Sequence, residues 1–306
     1  MEKKSLTSWN DTEIKKSLIN FVAEITNKDS SDFIPEEDRI ATFDNDGTLW
    51  TEQPLQVELF YALYRAEKLA EANPELKNDT VYNAFLNKDI KTLITFPKQK
   101  IIELLFKTHD GKTPEEFKSF VKEWFESAVH PLFKFSFYNT AFKPQLELLR
   151  YLKDNGFKIF IVSGGGVDFM RTVAEKIYGI PGERITGSSG MTKIEYDGTI
   201  PVVVRLPQLR SFDDRDEKVN NIHLHIGRRP VLAFGNSDGD LAMLRYTLAR
   251  KGLRMALLLH HDDGVREVAY DKDFKISPLN EALNVAAAEG IKVVSMKNDW
   301  KEVFSS

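Results

Sequence analysis

The chain of 306 residues contains no cysteine. That excludes a disulfide framework, a thiolate nucleophile and any zinc site built on sulfur. It does not fix a compartment, because a reducing cytosol and an oxidising periplasm both accept a cysteine-free protein. Long hydrophobic runs are missing too: no stretch approaches the ~18 uninterrupted apolar residues of a membrane span. Nor is positive charge in excess. Lysine plus arginine number 42 against 46 aspartate plus glutamate, a formal net charge of -4, so nothing electrostatic argues for a nucleic-acid partner. Basic pairs such as Arg228-Arg229 and Lys15-Lys16 are too short to form a polybasic patch. The opening MEKKSLTSWNDTE is charged but has no apolar segment. No signal peptide is read there, and the expected location is cytoplasmic. A periplasmic or exported chain whose leader has been removed is the alternative.

What remains is an ordinary globular composition, 42% hydrophobic and 29% charged. The length suits one large domain, or a core with a second module. Ile14, Leu18, Val22 and Ile25 recur at helical spacing and predict a leading helix over 11–27. RIATFDND then reads as a short buried strand. From Leu55 to Asn139 the pattern is helical, with no strand pair. PLQVELFYALYRAEKLAEANP places Leu55, Leu59 and Leu63 on one face and is expected to stop at Asn73-Pro74. TPEEFKSFVKEWFESAVHP starts with Thr113 at N-cap, Pro114 at N1 and Glu116 at N3, a capping box. Phe117, Phe120, Val121, Trp124 and Phe125 form its apolar face.

From about Phe142 onward helices and strands alternate, which predicts a parallel sheet with helices on its faces. The strands are FKIFIVSGGG, a short RITGSS, RPVLAFGNSDGD and RMALLLHHDDG. Asp197-Gly198, flanked by β-formers, predicts a separate small hairpin. IKVVSMKNDWKEVF is expected to close the chain as a strand and a short helix. Ligands of such sheets bind at the carboxyl ends of the strands, where the polar and glycine residues gather here.

The first tip is DNDGT, residues 44 to 48. Asp44 and Asp46 alternate on extended backbone and face one way. Two carboxylates in one place repel unless a cation joins them or one takes a proton. A hard divalent ion such as Mg2+ answers that demand. One carboxylate can then serve as nucleophile and the other as proton donor and acceptor. The plain alternative is a solvated turn, common where Asp, Asn and Gly cluster. The second tip offers Ser163 followed by Gly164, Gly165 and Gly166 ahead of a helix. A hydroxyl with main-chain N–H groups there suits an anion, although glycines also simply turn a chain. The third tip offers Asn236, Ser237, Asp238 and Asp240.

These three strand ends, in this order, resemble the haloacid dehalogenase superfamily of phosphatases, with organisation similar to its phosphoserine phosphatase branch. The likeness covers about 40–50 and 143–270. It implies an α/β fold, a Rossmann-like doubly wound parallel sheet with an inserted helical cap. The core would span 1–51 and 141–306, and the cap 52–140. It implies a Mg2+-dependent enzyme hydrolysing a small phosphate ester through an aspartyl-phosphate. A phosphotransferase and a weakened phosphate-binding or regulatory protein are the alternatives.

By that resemblance Asp44 is the nucleophile, and Asp46 the general acid and base with its carbonyl toward the metal. Ser163, with Gly164 and Gly165, contacts the phosphoryl oxygens. Lys218 is the expected cation, with Arg215 as rival and surface solvation as the ordinary role for either. The metal set is Asp44, Asp46, Asn236 and Asp240. The family usually has an acid where Asn236 stands, so weaker Mg2+ binding is expected, with Asp238 as a compensating acid.

Other residues carry less. His260 and His261 are neighbours on a strand, so they diverge and suit a loop at the cleft rim better than one metal. His223 and His225 are expected to pack beneath the sheet. Glu52 is expected to pair with cap residues. Phe60, Tyr61, Tyr64, Trp124 and Phe125 are expected to form cap core rather than substrate contacts.

Overall fold

The computed structural model describes residues 6–305 except 73, 88, 94, 97–99, 102–105 and 107–112. Seven strands form one sheet: β1 (Ile40–Phe43), β2 (Lys158–Gly166), β3 (Ile185–Asp197), β4 (Ile200–Ser211), β5 (Leu232–Gly235), β6 (Met255–His260) and β7 (Lys292–Ser295). Their order is β4-β3-β2-β1-β5-β6-β7. All pairings are parallel except β3 with β4. β1 is buried at every position, as a central parallel strand covered on both faces must be.

Both faces are covered because successive side chains point opposite ways. Ile159, Ile161, Leu232, Phe234 and Leu257 face one layer. That layer holds α1 (Glu13–Thr26), α6 (Lys143–Asp154) and α7 (Val167–Tyr178). Val162, Ala233, Ala256 and Leu258 face the other, against α9 (Leu241–Leu248) and α10 (Glu281–Glu289). The fold is therefore the expected α/β doubly wound sheet. The chain leaves β1 toward β2, β3 and β4, then returns to β1's other side at β5. Such a reversal opens a crevice at the carboxyl ends of β1 and β5.

Among the described residues between β1 and β2, the elements before α6 are helical: α2 (Val57–Ala72), α3 (Thr80–Leu86), α4 (Ile90–Leu93) and α5 (Pro114–Ser127). The expected stop of α2 at Asn73 falls outside the described residues. The capping box of α5 is formed: Thr113 Oγ1 accepts from Glu116 N at 3.2 Å, and Glu116 Oε2 accepts from Thr113 N at 3.0 Å. Phe117, Val121, Trp124 and Phe125 are buried against Tyr61, Phe137 and, on α7, Phe169 and Val173. Burial of each such side chain contributes about 1.5–3 kcal/mol. Phe120 is only half-buried, under the Arg65 guanidinium. The aromatics Tyr61, Trp124 and Phe125 thus pack against α7 as well as against one another, a wider contact than a self-contained insert core.

β2 runs to Gly166, as FKIFIVSGGG was read, with a register shift between Ser163 and Gly166. Three readings are corrected. RITGSS and the first arm of the hairpin are one strand, β3, which leaves the parallel sheet and pairs with β4. The helix α10 was not expected. His223 and His225 are exposed, not beneath the sheet. They lie in the π-helical turn Ile222–Ile226, where residues two apart do not share a strand-like face. Among the described residues no helix is long and apolar enough to cross a membrane.

Candidate active site

Asp44 follows β1 directly, and its N–H donates to Phe234 O of β5 at 2.9 Å. The turn behind it needs Gly47, whose φ is +73°. A Cβ there would also collide with the Asn236 amide and the Glu52 carboxylate. Position 47 is thus fixed both by backbone conformation and by close approach.

Lys218 meets Asp44 from the far side. It sits on the short helix α8 (Asp216–Asn221), and its Nζ donates to Asp44 Oδ1 and Asp240 Oδ1, both at 2.6 Å, and to Val162 O at 3.0 Å. Burial favours the neutral amine, but Asp240 and Asp44 outweigh it and raise the ammonium above its ordinary value. Burial likewise raises Asp44, with Asp240 adding to the rise and Lys218 opposing it. Arg215, the rival cation, is exposed, and its main-chain N–H is spent on Gly239 O.

Asp46 is held by Trp50, whose Nε1 donates to Asp46 Oδ1 at 2.8 Å. Its Oδ2 turns toward Gly165: a Cβ built there would lie 3.2 Å from Asp46 Oδ2 and 3.5 Å from Ser163 Oγ. Asp46 and Ser163 therefore converge on that glycine. The Ser163 hydroxyl is fully buried and accepts from Gly165 N at 3.1 Å. Gly164 O accepts from Ser188 Oγ at 2.7 Å.

The third tip divides its acids. Asp240 Oδ2 accepts from the N–H groups of Asn236 and Ser237, each at 3.0 Å, while Oδ1 serves Lys218. Asp240 thus ties the loop to the cation. Asp238 does not compensate for Asn236. Its Oδ1 accepts from Asn280 N and Ala282 N, both at 2.9 Å, where it caps the start of α10, a helix the sequence reading did not anticipate.

The acid beside Asn236 is instead Glu52. It is fully buried and accepts from Asn236 Nδ2 at 2.8 Å, Tyr270 OH at 2.8 Å and Ser277 Oγ at 2.7 Å. Its partners come from the core loops, not from the helical insert as expected. Burial pushes it up to about 8, against the Ser277 hydrogen bond. His261 is buried beneath the same loop, not at a rim. Its Nε2 lies 2.7 Å from Gly47 O and its Nδ1 3.2 Å from Glu267 Oε2. His260 and His261 do diverge, the first being only half-buried.

A second unanticipated acid is Glu58, on α2. Gly166 N donates to its Oε2 at 2.5 Å. Burial pushes this carboxyl up to about 7, Gly166 opposing. Glu58 had no local signal: nothing within a few residues of it marks a site, whereas Trp50 stands two positions after DNDGT.

An oxygen-binding cation is the remaining element the resemblance implies. Among the described residues no group of three or more His, Asp or Glu side chains is placed to hold a metal. The Thr48 hydroxyl lies 3.0 Å from Asn236 Oδ1 and 3.5 Å from Asp44 Oδ2, so these two oxygens converge. Both are oxygen donors of the kind Mg2+ takes. Buried Asp44 and Asp240 share Lys218 as their cation. The residues fit, with one inner carboxylate.

The family model for haloacid dehalogenase-like hydrolases matches residues 41–245. The chain belongs to that family. No curated protein matches it in sequence. Among solved structures, a conserved functionally unknown protein from Anaerococcus prevotii is similar at TM-score 0.57 and 17% identity, over 92% of this chain and 91% of that one. A protein of unknown function from Bordetella pertussis is similar at TM-score 0.54 and 14% identity, over 84% and 97%. A probable phosphoserine phosphatase from Vibrio cholerae reaches TM-score 0.42 at 12% identity, over 86% and 62%.

Proposed function

We propose that this haloacid dehalogenase-like hydrolase is a Mg2+-dependent phosphomonoesterase acting on a small phosphorylated metabolite through Asp44. The observation that carries the reading is Lys218 Nζ at 2.6 Å from both Asp44 and Asp240 at the crevice of the sheet. That arrangement fixes a buried carboxylate beside a cation able to balance phosphoryl oxygens.

In the first half-reaction an Asp44 carboxylate oxygen attacks phosphorus. The ester P–O bond breaks, and its electron pair leaves on the alkoxide, which takes a proton from Asp46. In the second, water gives a proton to Asp46 and attacks the same phosphorus. The bond to Asp44 breaks, phosphate leaves and the carboxylate returns. Ser163 and the Gly164–Gly165 main chain orient the transferred group. Trp50 keeps Asp46 turned toward it. Asp44, the Asp46 carbonyl and the Asn236 amide oxygen would hold Mg2+, with Asp240 positioning the loop. The ion's chemistry is charge stabilisation on the phosphoryl oxygens. Glu52 fixes the Asn236 side chain by accepting from its Nδ2, which leaves Oδ1 as the oxygen turned toward Thr48.

The insert at 52–140 acts as a cap on the core, 1–51 and 141–306. It excludes water and brings Glu58 to the leaving-group side. The test is a panel of phosphorylated metabolites assayed with and without Mg2+, on wild type and Asp44→Asn. Mg2+-dependent phosphate release that Asp44→Asn abolishes is expected. Full activity in the variant, or none in the wild type across the panel, would overturn the reading.

A further inference from the structure

A crevice of about 470 Å3 lies between α6 and α7 and shares no residue with the carboxylate site. Its floor is apolar, formed by buried Leu149, Phe157, Ile159 and Ile180. Its lining includes Arg150, Lys153 and Arg184 and no carboxylate. None of these three forms an ion pair among the described residues. Three unbalanced cations around an apolar floor attract an anion, and the floor rewards one that carries hydrocarbon.

One wall is Tyr178, the last residue of α7. Its hydroxyl donates to Asn45 Oδ1 at 3.0 Å, between Asp44 and Asp46. Its ring centroid lies 6.1 Å from that of Trp50, the residue that holds Asp46. The crevice and the general-acid position are thus joined by two side chains in contact.

We propose that this crevice is a second ligand site, taking a small organic anion with an apolar body, and that Tyr178 couples its occupancy to Asp46. The anion's headgroup meets Arg150, Lys153 and Arg184, and its hydrocarbon covers the floor. A ligand pressing on the Tyr178 ring moves the hydroxyl against Asn45, in the turn that carries Asp46 and Trp50. The orientation of Asp46 then depends on whether the crevice is filled.

The probe is decanoate, kept below its micelle concentration and titrated into the full chain by calorimetry. Saturable binding at one site is expected. Acetate, which lacks the chain, and decyltrimethylammonium, which inverts the charge, should bind at least about tenfold more weakly. Arg150→Glu/Arg184→Glu should lose a similar factor, as should the milder Lys153→Ala/Arg184→Ala, each checked for native circular dichroism. Unchanged affinity in either folded variant, or equal binding of the cationic amphiphile, overturns the site. Coupling is read from the indole N–H resonance of Trp50 in 15N-tryptophan-labelled protein. Decanoate should shift it in the wild type but not in Tyr178→Phe, which should keep its decanoate affinity. A resonance that stays still in the wild type, or moves equally in Tyr178→Phe, overturns the coupling. Neither readout needs turnover, so failure here is distinct from failure of the phosphatase reading.

Discussion

Replacing Lys218 by methionine removes one charge from the centre of the site and keeps most of the stem's volume. In the native site the ammonium serves Asp44 and Asp240 at 2.6 Å and Val162 O at 3.0 Å, with 2% of the residue exposed. Without it two buried carboxylates share one space. Breaking a buried pair in this way costs about 3–5 kcal/mol. Urea unfolding in chelator at pH 7.5 should show that loss. The pH dependence has a definite sign. Burial already raises Asp44, and Lys218 opposes the rise, so Asp44 rises further in the variant. A carboxyl raised in the fold stabilises at low pH and loses that contribution as pH climbs through its folded value. The gap between Lys218→Met and wild type should therefore narrow at pH 5.5. Adding Asp240→Asn should restore part of the stability but none of the activity, since the phosphoryl group still lacks its cation. Turnover by Lys218→Met should drop by about 10²–10³. A variant as stable as wild type at pH 7.5 would refute the reasoning, because the pairing of Lys218 with Asp44 and Asp240 would then contribute nothing.

Three further outcomes follow from the same geometry. His130 is buried, its Nδ1 accepts from the Leu132 and Phe133 N–H groups at 3.3 Å, and burial pushes it down to about 4 from 6.5. A depressed histidine keeps its full contribution above 6.5 and loses it as pH falls toward 4; His130→Gln should flatten the melting-temperature profile across that window. Asp238→Ala should cost about 1 kcal/mol through the lost cap of α10 while leaving turnover nearly unchanged, measured by denaturation and by assay. Asn236→Asp replaces the amide N–H that Glu52 Oε1 accepts at 2.8 Å with a second buried acid, a loss of about 1–3 kcal/mol. In chelator the melting temperature should fall, and Mg2+ should restore more of it than it adds to wild type.

The strand tips were legible because their signals are local. Apolar runs ending in Asp44, Ser163 and Asn236 place polar groups at one edge whatever the rest of the chain does. Lys218 was legible only through the family resemblance. The true extent of β3 was not, because Met191–Asp197 is exposed on both faces and so shows no alternation of apolar and polar residues. The helix α10 escaped notice because EALNVAAAE presents mainly alanines, which fit any face. Asp238 looked like a ligand since only α10 reveals what it caps. Glu52 and Glu58 owe their surroundings to residues 184 and 108 positions away. No local pattern encodes such a contact. The same holds for His261, whose partner Gly47 O lies 214 positions upstream.

The hydrogen bond between Glu52 and Asn236 also constrains how this site can change over generations. An acid at 236 alone removes the donor that Glu52 accepts and sets two buried acids in contact, and an amide at 52 alone leaves two amides facing each other. Gly47, wedged against both side chains, leaves no slack for either to swing aside. The two positions therefore form one unit: exchanging which of them is acid and which is amide takes two substitutions.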